Sequence, residues 1–145
     1  MATNTHTPIA FPVAAERIHA LLRDYKITPT QQRVQIAAFL FSRPQHVTAD
    51  QVLQGAKAIG AHVSRATIYN TLALFIRKGL VREVMLDRER VYYDSNNRFH
   101  HHVYHVDSGE LVDVDPLEIA VQHHSVVGED VELVGTEVIL RVASK

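Results

Sequence analysis

The chain has 145 residues, 46% of them hydrophobic, with 15 Lys+Arg against 16 Asp+Glu and a formal net charge of −1. It holds ten histidines and no cysteine, which excludes disulfides, thiolate zinc sites, iron–sulfur ligation and a cysteine nucleophile. No apolar run approaches the roughly 20 residues that span a bilayer, and the polar start, Met1 to Pro8, is unlike a signal peptide; the expected location is the cytoplasm, with no membrane partner.

In chain order, Val13 to Tyr25 predicts a helix with Ile18, Leu21 and Leu22 on one face and Pro12 at its start. Thr28-Pro29-Thr30 breaks it, and Thr30 can cap a second helix to about Ser42, with Val34, Ala37, Ala38 and Phe41 inward. Arg43 to His46 reads as a loop. Thr48 caps a third helix through about Ile59, which Gly60 ends. Ser64 starts a fourth, to about Lys78, with Ile68, Leu72, Phe75 and Ile76 as an apolar stripe. Its other face carries Arg65, Tyr69, Asn70 and Arg77. Val81–Leu86 and Arg90–Tyr93 then predict a β-hairpin. Helices followed by a hairpin describe a winged helix-turn-helix, whose second motif helix enters the DNA major groove.

Ser95 to Arg98 reads as a polar linker. Beyond it, Val103–Val106 and Glu110–Val114 predict strands across a Ser108-Gly109 turn, Pro116 to about His124 a short helix, and Val131–Val142 a final strand. The predicted class is α+β: a DNA-binding domain over residues 1–94, a hinge over 95–98, and a small α/β dimerisation domain over 99–145. A segment of that size buries little core alone, which points to a homodimer.

The near-zero charge hides a split. Residues 1–90 hold 12 Lys+Arg and 6 Asp+Glu, a balance of +6, while residues 91–145 hold 3 and 10, a balance of −7. A basic half suits a polyanion. The acidic half carries His100, His101, His102 and His105 within six positions, the donors a divalent transition metal takes when thiolates are absent.

Ser64-Arg65-Ala66-Thr67-Ile68-Tyr69-Asn70-Thr71-Leu72 is the most informative stretch. Arg65 and Thr67 can contact phosphates, and Tyr69 and Asn70 can reach base edges. It resembles the Ser-x-Ala-Thr-Val-Tyr recognition helix of the ferric uptake regulator family. Thr30-Gln31-Gln32-Arg33, His46-Val47-Thr48-Ala49 and Asp107 to Asp113 resemble further motifs of that family, so the likeness runs from about Ile18 to Arg141. It implies a DNA-binding transcriptional regulator, not an enzyme. The DNA-contacting set it implies is Lys26, Arg33, Ser64, Arg65, Thr67, Tyr69 and Asn70. Asn70, where the family often has Arg, is similar to the peroxide-sensing and haem-responsive iron branches.

The resemblance also implies a regulatory metal site at the hinge, carried over onto His46, Asp94, His100, His102 and Asp113. On a strand, His100 and His102 share a face, and the nitrogen–oxygen set suits Fe(II), Mn(II) or Zn(II). A second site is implied at His101 and Glu118, with His123 or His124, although Thr136 stands where its usual C-terminal histidine falls. The cysteine-ligated structural zinc of many members cannot form. The three-histidine run is similar to that of the iron response regulators, where it is implicated in haem binding, so haem is the alternative cofactor. The signal stays open among iron or haem, peroxide, and zinc or manganese. A metalloenzyme and a metal-buffering protein are the non-family alternatives. The implied partners are a double-stranded operator and a second copy of the chain.

Overall fold

The computed structural model describes residues 6–122 and 127–145. They fall into two compact units that meet between Asn97 and Arg98. Among the described residues, no helix is long and apolar enough to cross a membrane.

The first unit carries α1 (Ile18–Asp24), α2 (Gln31–Leu40), β1 (His46–Val47), α3 (Ala49–Ala58), α4 (Arg65–Arg77), β2 (Arg82–Met85) and β3 (Val91–Asp94). Side-chain caps start three helices where the sequence places them. Thr30 Oγ1 accepts from the Arg33 N–H at 3.3 Å and Ser64 Oγ from the Thr67 N–H at 3.1 Å. Thr48 and Gln51 form a reciprocal capping box, which satisfies two backbone donors that the helix itself leaves open. Gly79 closes α4 at φ 76°, a conformation that disfavours side chains bearing a Cβ. Ile18, Leu22, Ile36, Leu40, Phe41, Val52, Ile68, Leu72 and Phe75 are fully buried; each such side chain contributes roughly 1.5–3 kcal/mol. α2 and α3 approach so closely that a Cβ on Gly55 would overlap the Phe39 ring.

Two expectations change in this unit. α1 is shorter than Val13–Tyr25, because the Val13 N–H donates to the Phe41 carbonyl at 2.9 Å and Ala14 stays extended; a 3-10 turn over Ala15–Arg17 leads into the helix. His46 is not in a loop. β1 pairs antiparallel with β3, giving a three-stranded sheet in the order β1-β3-β2. The Ser95 N–H donates to the Gln45 carbonyl at 3.1 Å and Ser95 Oγ accepts from the Gln45 N–H at 3.0 Å. Asn97 Nδ2 donates to Tyr25 Oη at 2.7 Å and to the Gly79 carbonyl at 3.1 Å. Residues 95–97 are therefore hydrogen-bonded into this unit.

The second unit is a sheet in the order β5-β4-β6, built from β4 (His101–His105), β5 (Leu111–Val114) and β6 (Ile139–Val142). β4 and β5 are antiparallel, and β6 runs parallel to β4. The expected helix from Pro116 is a single 3-10 turn, Pro116–Glu118, and Ile119 returns to extended backbone. Residues 123–126 lie outside the described residues. The expected strand over 131–142 shrinks to its last four residues, because β4 offers a partner only from His102 to His105. A β-strand persists only where its ladder is paired.

Candidate metal centre and reading helix

In the first unit, the β1–β3 register sets His46 directly opposite Asp94. His46 Nε2 lies 3.1 Å from Asp94 Oδ2, and Asp94 is fully buried. The other carboxylate oxygen accepts the Asn96 N–H at 2.9 Å. Ser95, which sequence reasoning passed over as linker, closes this ladder and so fixes the His46–Asp94 pair.

In the second unit, His102 on β4 faces Asp113 on β5 in register. Asp113 Oδ1 is 3.2 Å from His100 Nε2 and 3.5 Å from His102 Nε2, and the two imidazole Nε2 atoms are 2.9 Å apart. His100 Nδ1 lies 2.6 Å from the Arg98 carbonyl, which can only accept, so Nδ1 donates there. Ligands bound about 2.1 Å from one ion and about 90° apart would lie about 3 Å from each other. The spacing of this His–His–carboxylate set therefore fits a divalent transition metal, as does its nitrogen–oxygen chemistry.

The second expected site lies only partly within the described residues. His101 points to the opposite face, where its Nδ1 accepts the Val138 N–H at 3.2 Å and Phe99 packs edge-on at 5.2 Å between ring centroids. Glu118 is exposed on the 3-10 turn, and among the described residues no metal-capable cluster includes it or His101. His123 and His124 lie outside the described residues. Glu137, which sequence reasoning did not single out, approaches His102 Nδ1 at 3.4 Å. A residue that contacts a ligand from outside the set leaves no spacing pattern in the sequence.

The exposed face of α4 carries Arg65, Tyr69 and Asn70, with Tyr69 48% exposed. Ser64 caps the helix, and its hydroxyl lies 3.0 Å from that of Thr67. Arg65 pairs with Asp50 on α3, which raises the guanidinium pKa and leaves the side chain on the surface. Arg33 is half-buried, and its guanidinium donates to the Thr28 carbonyl at 2.9 Å. Thr30, Gln32, Arg33, Thr67, Asn70 and Arg77 line one open groove between α2 and α4. Gln32 and Arg77 thus join the expected DNA-contacting residues on the same surface. Lys26 is exposed beyond α1, at φ 59°.

Capped helices presenting a polar, basic face and paired imidazole–carboxylate sets define a metal-responsive, DNA-binding regulator. Residues 23–141 match the model of the ferric uptake regulator family. Over 109 residues the chain is 33% identical to the peroxide-responsive repressor PerR of Staphylococcus epidermidis, covering 72% of this chain and 73% of that protein. The fold is similar to the ferric uptake regulator of Pseudomonas aeruginosa solved with manganese, at TM-score 0.70 and 30% identity over 88% of this chain and 97% of that one. It is also similar to the ferric uptake regulator of Francisella tularensis solved with iron, at TM-score 0.67 and 27% identity over 82% and 92%. The chain belongs to the ferric uptake regulator family. Its members are transcriptional regulators, so the enzyme and metal-buffer alternatives fall away.

Proposed function

We propose that the chain is a dimeric, metal-dependent repressor whose regulatory site joins two half-sites, His46–Asp94 and His100–His102–Asp113. Residues 6–97 act as a winged helix-turn-helix, with α4 as recognition helix and the β2–β3 hairpin as wing. Residues 98–145 act as the dimerisation half, with the pivot at Arg98, because residues 95–97 are tied into the first unit by Ser95 and Asn97. The observation that carries this reading is that each unit holds an imidazole beside a carboxylate, at 3.1 Å and 3.2 Å.

When bound, an Fe(II), Mn(II) or Zn(II) ion supplies a cross-link between the units. His46 and Asp94 hold it from the DNA-binding side, and His100, His102 and Asp113 from the other. In a dimer the cross-link sets the separation of the two α4 helices, which must match major-groove faces about 34 Å apart or a multiple of that. Moving the population from mostly open to mostly closed needs about 5.5 kcal/mol of differential binding, within reach of coordination by several side chains. Lys26, Arg33, Ser64, Arg65 and Thr67 meet phosphates, and Tyr69 and Asn70 read bases. Val112 on β5 and Leu140 on β6 flank Val103 in register and are exposed; this apolar row supports pairing with a second copy. The near-complete burial of His100, His101 and His102, at 4%, 2% and 0% exposure, favours an ion over haem at this run.

A gel shift with and without chelator tests the reading. Operator binding that disappears with chelator and returns with Mn(II) or Zn(II) supports it; binding indifferent to chelator contradicts it. A second reading, peroxide sensing through bound Fe(II), is favoured by the 33% identity to peroxide-responsive repressors. It predicts a mass gain of about 16 Da on His46 or His100 after mild peroxide, with loss of DNA binding: bound Fe(II) would promote cleavage of the peroxide O–O bond, one oxygen replacing a ring C–H by C–OH and the other leaving as water.

A further inference from the structure

The groove between α2 and α4 draws its charge from two guanidinium groups, Arg33 on one helix and Arg77 on the other; among the described residues that line it, none is acidic. Arg33 is held in place, because its Nη1 donates to the Thr28 carbonyl at 2.9 Å. That engages one of the five N–H donors of a guanidinium. Gln32 Nε2 donates to the His62 carbonyl at 3.4 Å, which ties the start of α2 to the loop before α4. On α4, Thr67, Asn70, Leu74 and Arg77 follow at steps of three and four residues and so form one stripe along the groove. Arg77 is exposed and stands about 10 Å along the helix axis from Asn70. The DNA major groove is about 12 Å wide, so a side chain that far from one reading a base edge meets the phosphates at the groove's border. Arg65, by contrast, has its charge engaged by Asp50 on α3.

We propose that Arg77 and Arg33 hold a backbone phosphodiester of bound DNA in the α2–α4 groove, with Arg77 supplying the charge that Arg65 shares with Asp50. The inference deepens the reading of α4 as recognition helix and rests on it. A guanidinium presents parallel N–H donors that match two oxygens of one phosphate. Such a contact fixes the protein's position on the duplex without reading its sequence.

The test follows fluorescence anisotropy of two labelled duplexes of equal length, with the full chain and Mn(II), from about 50 to 200 mM salt. One duplex is enriched by in vitro selection against the wild type, and the other has mixed sequence. Arg77→Gln is expected to weaken binding to both by a similar factor, roughly 10-fold at the lowest salt. The slope of log affinity against log salt is expected to become shallower by about 0.9 for each protomer's lost contact. Arg77→Lys keeps the charge and should keep most of the slope. Lys57→Gln removes an equal charge from the last turn of α3, outside the groove, and should leave the slope at its wild-type value. Arg77 lies in the last turn of α4, so a thermal melt accompanies each variant, and Arg77→Ala decides if Arg77→Gln does not fold. Wild-type affinity and slope in the folded variant would overturn the proposal, as would a loss confined to the selected duplex or an equal effect of Lys57→Gln. A wild type that binds neither duplex at any salt would instead contradict the DNA-binding reading on which the proposal rests.

Discussion

Residues 6–97 bury Ile18, Leu22, Ile36, Leu40, Val52, Ile68, Leu72 and Phe75, whereas the principal buried side chains of residues 98–145 are Tyr104, Leu111 and three consecutive histidines. The first set is an aliphatic and aromatic core that removes apolar surface from water by itself. The second spends its most buried positions on polar rings whose nitrogens need partners. Backbone groups and carboxylates supply some of these partners, and the proposed ion would supply another. One unit is thus stabilised by packing, whereas the other buries imidazoles that need partners, so bound metal should act throughout the second unit and, in the first, only around His46 and Asp94.

The largest expected effect is on metal. At a hundred to a thousand times its dissociation constant, a bound ion should stabilise the second unit by about 2.7–4.1 kcal/mol. Hydrogen exchange should slow across β4–β6 on adding Zn(II) or Mn(II) and remain unchanged in α1 and α2. Equal slowing in α1, α2 and β4–β6 would show that the packed core of the first unit also depends on metal. The opposite perturbation is Phe75→Ala, expected to cost about 3–5 kcal/mol in urea unfolding of the first unit, with or without chelator. A metal-dependent cost would show that the cores are not independent.

A smaller loss of about 1–3 kcal/mol is expected for Gly55→Ala, because the new methyl meets the Phe39 ring and overpacking strains α2 against α3; a thermal melt checks it. The smallest effect sharpens the second unit. Asp107 accepts hydrogen bonds from the Ser144 N–H and hydroxyl, at 3.0 Å and 2.5 Å, and its pKa is lowered from 3.8 to about 2. A depressed carboxylate pKa means that the contact contributes fully above about pH 4 and is lost as pH falls through about 2. Titration followed by carboxyl NMR should show this, and Ser144→Ala should return Asp107 toward 3.8.

Much of this contrast is legible in the sequence. Thr30, Thr48 and Ser64 announce helix starts, and the Ile68–Leu72–Phe75 stripe marks the buried face of α4, because capping and helical period are local signals. The short strand β1 of the first unit and the elements of the second yield less. β1 has two residues, too few for any alternation to register, yet it places His46 opposite Asp94. The end of β6 depends on how much of β4 is there to pair with, a non-local fact. Proline at 116 announces a helix start, but the turn ends after Glu118. The i, i+2 spacing of His100 and His102 brings the two candidate ligands to notice, while the hydrogen bonds that tie Ser95 to Gln45, 50 positions away, follow no spacing rule.

If one ion draws ligands from both units, His46 is the proposed ligand whose loss separates them most directly. Operator binding, followed by fluorescence anisotropy while Mn(II) is titrated into wild type and His46→Ala, is the decisive measurement. Wild type should gain operator affinity with metal, and His46→Ala should stay at the metal-free level although His100, His102 and Asp113 remain. A His46→Ala protein that responds to Mn(II) as wild type does would show that the metal does not act by cross-linking the two units.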